Sequence, residues 1–281
     1  LSGVELWHDA NVIASAATLP AGAVPVTLPC TNPVRIAAGG AVASAVLLKN
    51  AVGESRPQPN TAIPLPLDQL GIEFRLGSAG EVKIVYAPSI DADKSLLQIP
   101  TIASATTFYA AFTDLGDGGL TCLEKLPELQ DVILFETKVK GPGLQHLAAL
   151  DALISLSVVQ GSAGIDRGAC HIYDRRGLLR LEIRQTPLSD SGLNGLRKLD
   201  RLTYLSLDDT KVSDTVVAEL VELKELEFLG LAATGVSNQT ATEVARLPKL
   251  EELDLRWTRV TNECLAALSR LDCLKVLSLG P

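Results

Sequence analysis

Apolar residues along most of the chain keep a rhythm that changes within each repeating stretch. A spacing of two, as at Leu205 and Leu207, gives way to a spacing of three to four, as at Val217, Leu220 and Leu223. The first suits a short strand whose alternate side chains face opposite sides, and the second suits a helical turn. A Thr follows each strand-like piece, at Thr137, Thr186, Thr210, Thr234 and Thr258, with Gly161 in the place between the first two. The intervals are 24, 25, 24, 24 and 24 residues, and the extra residue falls inside "GSAGIDRGACHIYDRRG". Stepping back by 24 reaches Thr113 and then Ser89. Around Thr186 the apolar frame is complete, with Leu178, Leu181 and Ile183 before it and Leu188, Leu193, Leu196 and Leu199 after it. Around Ser89 it survives as Ile84, Tyr86, Leu96, Ile99 and Ile102.

Four residues after the Thr stands Asp93, Asp117, Asp190, Asp214, Asn238 or Asn262, usually preceded by Ser or Thr. Short polar side chains there are expected to cap the exposed N–H groups of a helix start. One strand plus one helical turn cannot bury its own apolar face, so stability must come from stacking neighbours into a continuous Leu and Val core.

The consensus "LxxLxLxxTxVxDxxLxxLxxL" resembles the leucine-rich repeat. Thr in place of the usual Asn or Cys, followed by "VSD" or "VTN", is similar to the 24-residue variant common in bacterial proteins. The resemblance covers residues 72–281. It implies an α/β solenoid, curved, with a parallel β-sheet on its concave side and helices on its convex side, and partner binding mostly on the concave strands. Three departures fall in the middle: Gly161, the "KGPG" of Lys140 to Gly143 in place of the polar cap, and the "CHIYDRRG" that disturbs one helix.

The domain reading follows. Residues 71–281 form the repeat domain, opening with an N-terminal cap hairpin at about 72–86, where "IEFRLGSAGEVKIVY" offers two alternating strands around a Gly-Ser-Ala-Gly turn. Residues 1–70, rich in Ala, Pro and Val, fit no 24-residue frame and read as a small β-rich or extended region. Its brief strand candidates are "VPVTL", "PVRIA" and "SAVLL", and "GESRPQPNTAIPLPLDQ" reads as the linker. No cap follows Leu279, so the chain is expected to continue, to bind something at that end, or to have been cut. With no Met anywhere in the chain, Leu1 is expected to be something other than a translation start.

Composition narrows the function. The formal charge of −8 argues against a nucleic-acid partner, because phosphate binding needs clustered Lys and Arg. The five cysteines form no CxxC pair and read as small buried apolar residues, with no disulfide framework and no metal site. The uncharged run from Val12 to Val34 is interrupted by Pro20, Pro25, Pro29 and Pro33, which argues against a membrane span. It also lacks the form of a signal peptide, leaving the compartment open between cytoplasm and cell envelope. His8, His146 and His171 accompany no nucleophile motif, and no cofactor is implied. The chain is read as not an enzyme.

Alternation supplies a better candidate site. If Leu181 and Ile183 face the core, then Arg180, Glu182 and Arg184 face outward on the concave sheet. The same offset on every rung collects Tyr109, Ile133, Phe135, Ser157, Glu182, Arg184, Tyr204, Asp208, Phe228, Asp254 and Arg256, with Phe112 and Trp257 at the strand edge. Aromatic residues make up 4% of the chain, so their gathering on one exposed sheet calls for a cause, and aromatics with Arg anchor interfaces. The reading is a non-catalytic module that binds a protein or peptide on its concave sheet. Tyr204, Phe228 and Trp257 serve as apolar anchors, and the charged residues set polarity. A glycan is a subsidiary ligand class. The alternative is a structural or scaffold component of a larger envelope or multi-subunit assembly.

Overall fold

A computed structural model describes residues 4–8, 11–15, 35–38, 41–43, 72–76, 82–86, 92–97, 104–161 and 164–280. The chain divides into two compact units, Leu1–Ala62 and Ile63–Pro281. In the first, β1 (Val4–His8), β2 (Asn11–Ser15), β3 (Arg35–Ala38) and β4 (Ala41–Ala43) form an antiparallel sheet in the order β2-β1-β3-β4. "VPVTL", "SAVLL", the linker, the Gly-Ser-Ala-Gly turn, Ser89, Cys30 and most of the uncharged run lie outside the described residues. No helix among the described residues is long and apolar enough to cross a membrane.

The second unit is a leucine-rich repeat solenoid. Strands β5 (Ile72–Leu76) and β6 (Val82–Tyr86) pair antiparallel. From β6 onward every pairing is parallel, through β7 (Ala105–Ala111), β8 (Asp131–Phe135), β9 (Ser155–Val159) and β10 (Arg180–Arg184). It continues through β11 (Tyr204–Ser206), β12 (Phe228–Gly230), β13 (Glu252–Asp254) and β14 (Val276–Ser278). Sheet order follows chain order without exception, as stacking of consecutive repeats requires.

Register turns the leucine pattern into a core. Leu181 pairs with Leu205, Leu205 with Leu229, and Leu229 with Leu253, and all four are fully buried. Identical side chains thus lie side by side along one interior, and burial of each contributes about 1.5–3 kcal/mol relative to leaving it in water.

Strands β7 to β13 are each left through one residue in the left-handed region: Phe112, Glu136, Gln160, Gln185, Asp209, Ala233 and Trp257, with φ between 47° and 55°. None is glycine, although the conformation costs an L-residue roughly 1–2 kcal/mol. The turn sends the next side chain inward, which explains the Thr. The hydroxyls of Thr210, Thr234 and Thr258 donate to the carbonyls of Leu207, Leu231 and Leu255 at 2.6, 2.6 and 2.7 Å, so a polar group enters the interior already satisfied.

The return segments are shorter and tighter than full helices. They include 3-10 turns at Gly119–Lys125 and Pro142–Ala149 and short helices α1 (Ala92–Leu96), α2 (Asp166–Ala169), α3 (Val217–Leu220), α4 (Asn238–Val244) and α5 (Leu265–Leu268). With 24 residues per repeat, few remain for the return once the strand and two turns are built, and 3-10 geometry suits such short pieces.

The capping role falls one residue earlier than the sequence suggests. Ser213, Ser237 and Thr261 hold the cap positions and accept from the N–H groups of Thr215, Gln239 and Glu263. The Asp and Asn residues reach sideways into the next repeat. Asp190 accepts from the N–H and hydroxyl of Ser213 at 2.7 and 2.6 Å, and Asp214 does the same from Ser237 at 2.9 and 2.6 Å. Asp166 serves Ser189 likewise, which shows that the 25-residue repeat keeps the ladder by placing its extra residue before it. At Gly141 the ladder is interrupted. A Cβ on Gly168 would stand 1.6 Å from the Gly141 carbonyl oxygen, so two backbones in direct approach replace the carboxylate.

Candidate recognition face

Parallel pairing arranges the side chains on the face opposite the core into columns that run across the strands. One column holds Thr107, Asp131, Ser155, Arg180, Tyr204, Phe228, Glu252 and Val276. The next holds Tyr109, Ile133, Ser157, Glu182, Ser206, Gly230, Asp254 and Ser278. Phe135, Val159 and Arg184 belong to a third, in which Asp208 and Arg256 follow by the repeat offset. Phe112 and Trp257 occupy left-handed positions at the strand ends and are 59% and 55% exposed.

The aromatic residues form separate groups. At one end Phe112 meets Phe135 edge-on, with centroids 5.0 Å apart and rings at 72°, while Tyr109 is half-buried nearby in chain order. In the middle Tyr204 stacks flat on Phe228, with centroids 4.1 Å apart and planes 5° from parallel. The Arg180 guanidinium lies 3.4 Å above the Tyr204 ring, continuing the stack by one member. Such a cation on a ring contributes about 0.5–1 kcal/mol at an exposed site. Further on, the Arg256 guanidinium lies 5.6 Å from the Trp257 ring. Between the first two groups the small side chains Ser155 and Ser157 and the charges of β10 intervene, so the aromatics do not make one continuous patch.

The charged residues are largely paired with one another. Glu182 accepts from the Ser157 hydroxyl at 2.8 Å and lies 4.0 Å from Arg180. Arg184 Nε is 2.8 Å from Glu182 Oε1, although its N–H does not point along that line, so the contact is an ion pair without an aligned hydrogen bond. Arg256 folds back on Asp254, with Nε at 3.0 and 3.1 Å from the two carboxylate oxygens and Nη2 at 2.6 Å from Oδ2. This cover leaves Asp254 buried at 8% exposure, where alternation alone would have it open to solvent. The hydrogen bond to Asp254 holds the Arg256 proton more tightly than usual.

Asp208 leans over its neighbouring strand. Its carboxylate accepts from the Ser206 hydroxyl at 2.9 Å and from the Ala232 N–H at 2.8 Å. A Cβ on Gly230 would stand 2.7 Å from Oδ1, so this pose requires glycine at the centre of β12. Burial pushes the Asp208 carboxyl above the usual range and the nearby Asp254 charge adds to that, against the opposing hydrogen bonds and Arg184. Burial likewise raises the Tyr204 hydroxyl, partly offset by Arg180.

Alternation identifies the outward residues but does not reveal Arg180 as a member of the stack or Gly230 as the space for Asp208. Both signals were present: Tyr204 follows Arg180 by one repeat, and Gly230 interrupts an outward position beside an acid.

Other candidate groups have structural surroundings. Cys122 and Cys264 are buried, and burial pushes the Cys122 thiol up to about 12. Cys170 and Cys273 are exposed, against the expectation of buried apolar residues, because they sit on the solvent side of the return segments. His146 Nδ1 lies 2.7 Å from Glu124 Oε1 on the helical side. Among the described residues no three His, Cys, Asp or Glu side chains are placed so that they could hold a metal ion.

The fold and this face together define a leucine-rich repeat solenoid whose strand face carries aromatic and arginine side chains. No protein-family model matches the sequence, and no curated protein matches it. Solved structures do. Internalin C2 from Listeria monocytogenes superposes with a TM-score of 0.55 at 19% identity, over 70% of this chain and 80% of that one. An internalin, inlF, from the same organism gives 0.49 at 18% identity, over 62% and 54%. The plant peptide hormone receptor RGFR1 in complex with RGF2 gives 0.43 at 16% identity, over 75% and 36%. At these identities the likeness concerns the fold.

Proposed function

We propose that the chain is a non-catalytic recognition module that holds a protein or peptide on its concave sheet. One observation carries the reading: aromatic and arginine side chains stand on the solvent side of a sheet whose other side already buries a complete core. These side chains are not needed to fill the interior, and large apolar groups kept on an open face mark contact sites. Tyr204, Phe228 and Trp257 anchor the partner, Tyr109 and Phe135 extend the surface toward β7, and Glu182, Arg184, Asp208, Asp254 and Arg256 set its polarity.

The test compares the intact chain with a variant carrying Tyr204→Ala, Phe228→Ala and Trp257→Ala. Both are used as bait in extracts of the source organism, after matching thermal unfolding shows that the variant keeps its fold. A specific partner retained by the intact chain and lost by the variant is expected. The same partners recovered by both would refute the assignment.

A further inference from the structure

The stack in the middle of the sheet is open at one end. Arg180 covers Tyr204, Tyr204 covers one face of Phe228, and the next residue in register beyond Phe228 is Glu252. Glu252 is exposed, and its carboxylate makes no ion pair or side-chain hydrogen bond among the described residues. The arginines of this stretch are all engaged within the chain. Arg180 lies on Tyr204, Arg184 is paired with Glu182, and Arg256 is clasped by Asp254. The sheet therefore presents one ring and one acid with no cation of its own between them.

We propose that Phe228 and Glu252 form a slot for an arginine side chain of an extended partner segment. The chain itself supplies the template. Arg180 lays its guanidinium on Tyr204 with the Glu182 carboxylate 4.0 Å away, and the slot likewise sets a ring, Phe228, beside an acid, Glu252, the acid here standing in register on the next strand. A guanidinium is planar, so it can stack on the Phe228 ring while its edge donates to Glu252. Asp208 adds a second negative charge beside Gly230, in register with neither residue but on the same strand group. An anionic partner would meet Glu252 and Asp208 without a free arginine to answer it, and a purely apolar partner would bury the Glu252 charge unpaired. The inference rests on the concave-face reading and specifies the partner's chemistry within it.

The experiment titrates the 15N-labelled chain with the capped tripeptide acetyl-Gly-Arg-Gly-amide, and separately with the citrulline and lysine analogues. Citrulline keeps the shape of arginine and removes its charge. Amide shifts centred on Phe228, Leu229, Glu252 and Leu253 are expected, with the citrulline peptide weaker by roughly tenfold. Glu252→Gln, an exposed change that leaves packing intact, is expected to weaken the arginine peptide about three- to tenfold and to leave the citrulline peptide unchanged. Phe228→Ala is expected to do the same to the arginine peptide. Equal binding of arginine and citrulline, shifts centred elsewhere, or indifference to Glu252→Gln would overturn the slot. Equal binding of the lysine peptide would overturn its assignment to a guanidinium. If the triple alanine variant loses its protein partner while the tripeptides show no preference, the slot alone fails. If the tripeptide binds as expected while that variant keeps its partner, the slot stands and the wider anchoring role of Tyr204 and Trp257 fails.

Discussion

Replacing Gly230 by alanine adds one methyl group at the point where Asp208 crosses β12. The new Cβ would stand 2.7 and 2.9 Å from the two carboxylate oxygens and 3.1 Å from Cγ, all inside contact distance. Asp208 has a short side chain tied at both oxygens, so it must rotate away and lose the Ala232 N–H at 2.8 Å and the Ser206 hydroxyl at 2.9 Å. Ala232 is 6% exposed, and an N–H left unpaired there costs about 1–3 kcal/mol. The Ser206 bond adds about 1 kcal/mol, while release of the buried carboxylate and the lower chain entropy of alanine return about 1 kcal/mol. The expected net loss is about 1–3 kcal/mol, or roughly 2–12 °C in Tm for a unit of this size. Urea unfolding followed by circular dichroism measures it. A double-mutant cycle with Asp208→Ala isolates the cause, because Gly230→Ala should cost at least about 1 kcal/mol less once the carboxylate is gone. A loss under about 0.5 kcal/mol, or an additive cycle, would refute the reasoning.

Asp214→Ala removes the acceptor for the N–H and hydroxyl groups of both Ser237 and Thr240, and is expected to lower stability by about 2–4 kcal/mol in the same assay. Burial pushes the Asp214 carboxyl up, but the hydrogen bonds from Ser237 and Thr240 outweigh it and hold the value below the usual range. Its contribution is therefore complete above the unfolded value of about 4 and is lost as pH falls through the folded one, so the gap between wild type and Asp214→Asn should narrow below about pH 4. Ala233→Gly relieves a residue held at φ 54° and is expected to raise stability by about 0.5–1 kcal/mol, read as a shifted urea midpoint. Leu205→Ala opens a void between Leu181 and Leu229 and is expected to cost about 2–5 kcal/mol in that same titration.

The stacking of repeats was legible because Leu181, Leu205, Leu229 and Leu253 recur at one interval and lie on one side of a strand. The outward columns were legible for the same reason, since alternation fixes which side chain faces away from the core. The donors of Asp190 and Asp214 are not legible, because Ser-Asp and Thr-Asn pairs offer two short acceptors in a row. Only the lateral placement of the next repeat decides which of them caps and which bridges. The burial of Asp254 depends on the rotamer of Arg256, and no spacing encodes that choice. Residues 1–70 carry no period from which neighbours could be inferred.

Hydroxyl-radical footprinting of the free chain and of its partner complex, read by mass spectrometry, probes the recognition face directly. The account expects Tyr204, Phe228 and Trp257 to be oxidised in the free chain and protected in the complex, with the return segments unchanged. Protection of those three rings in the free chain, or a complex that shields the helical side instead, would contradict it.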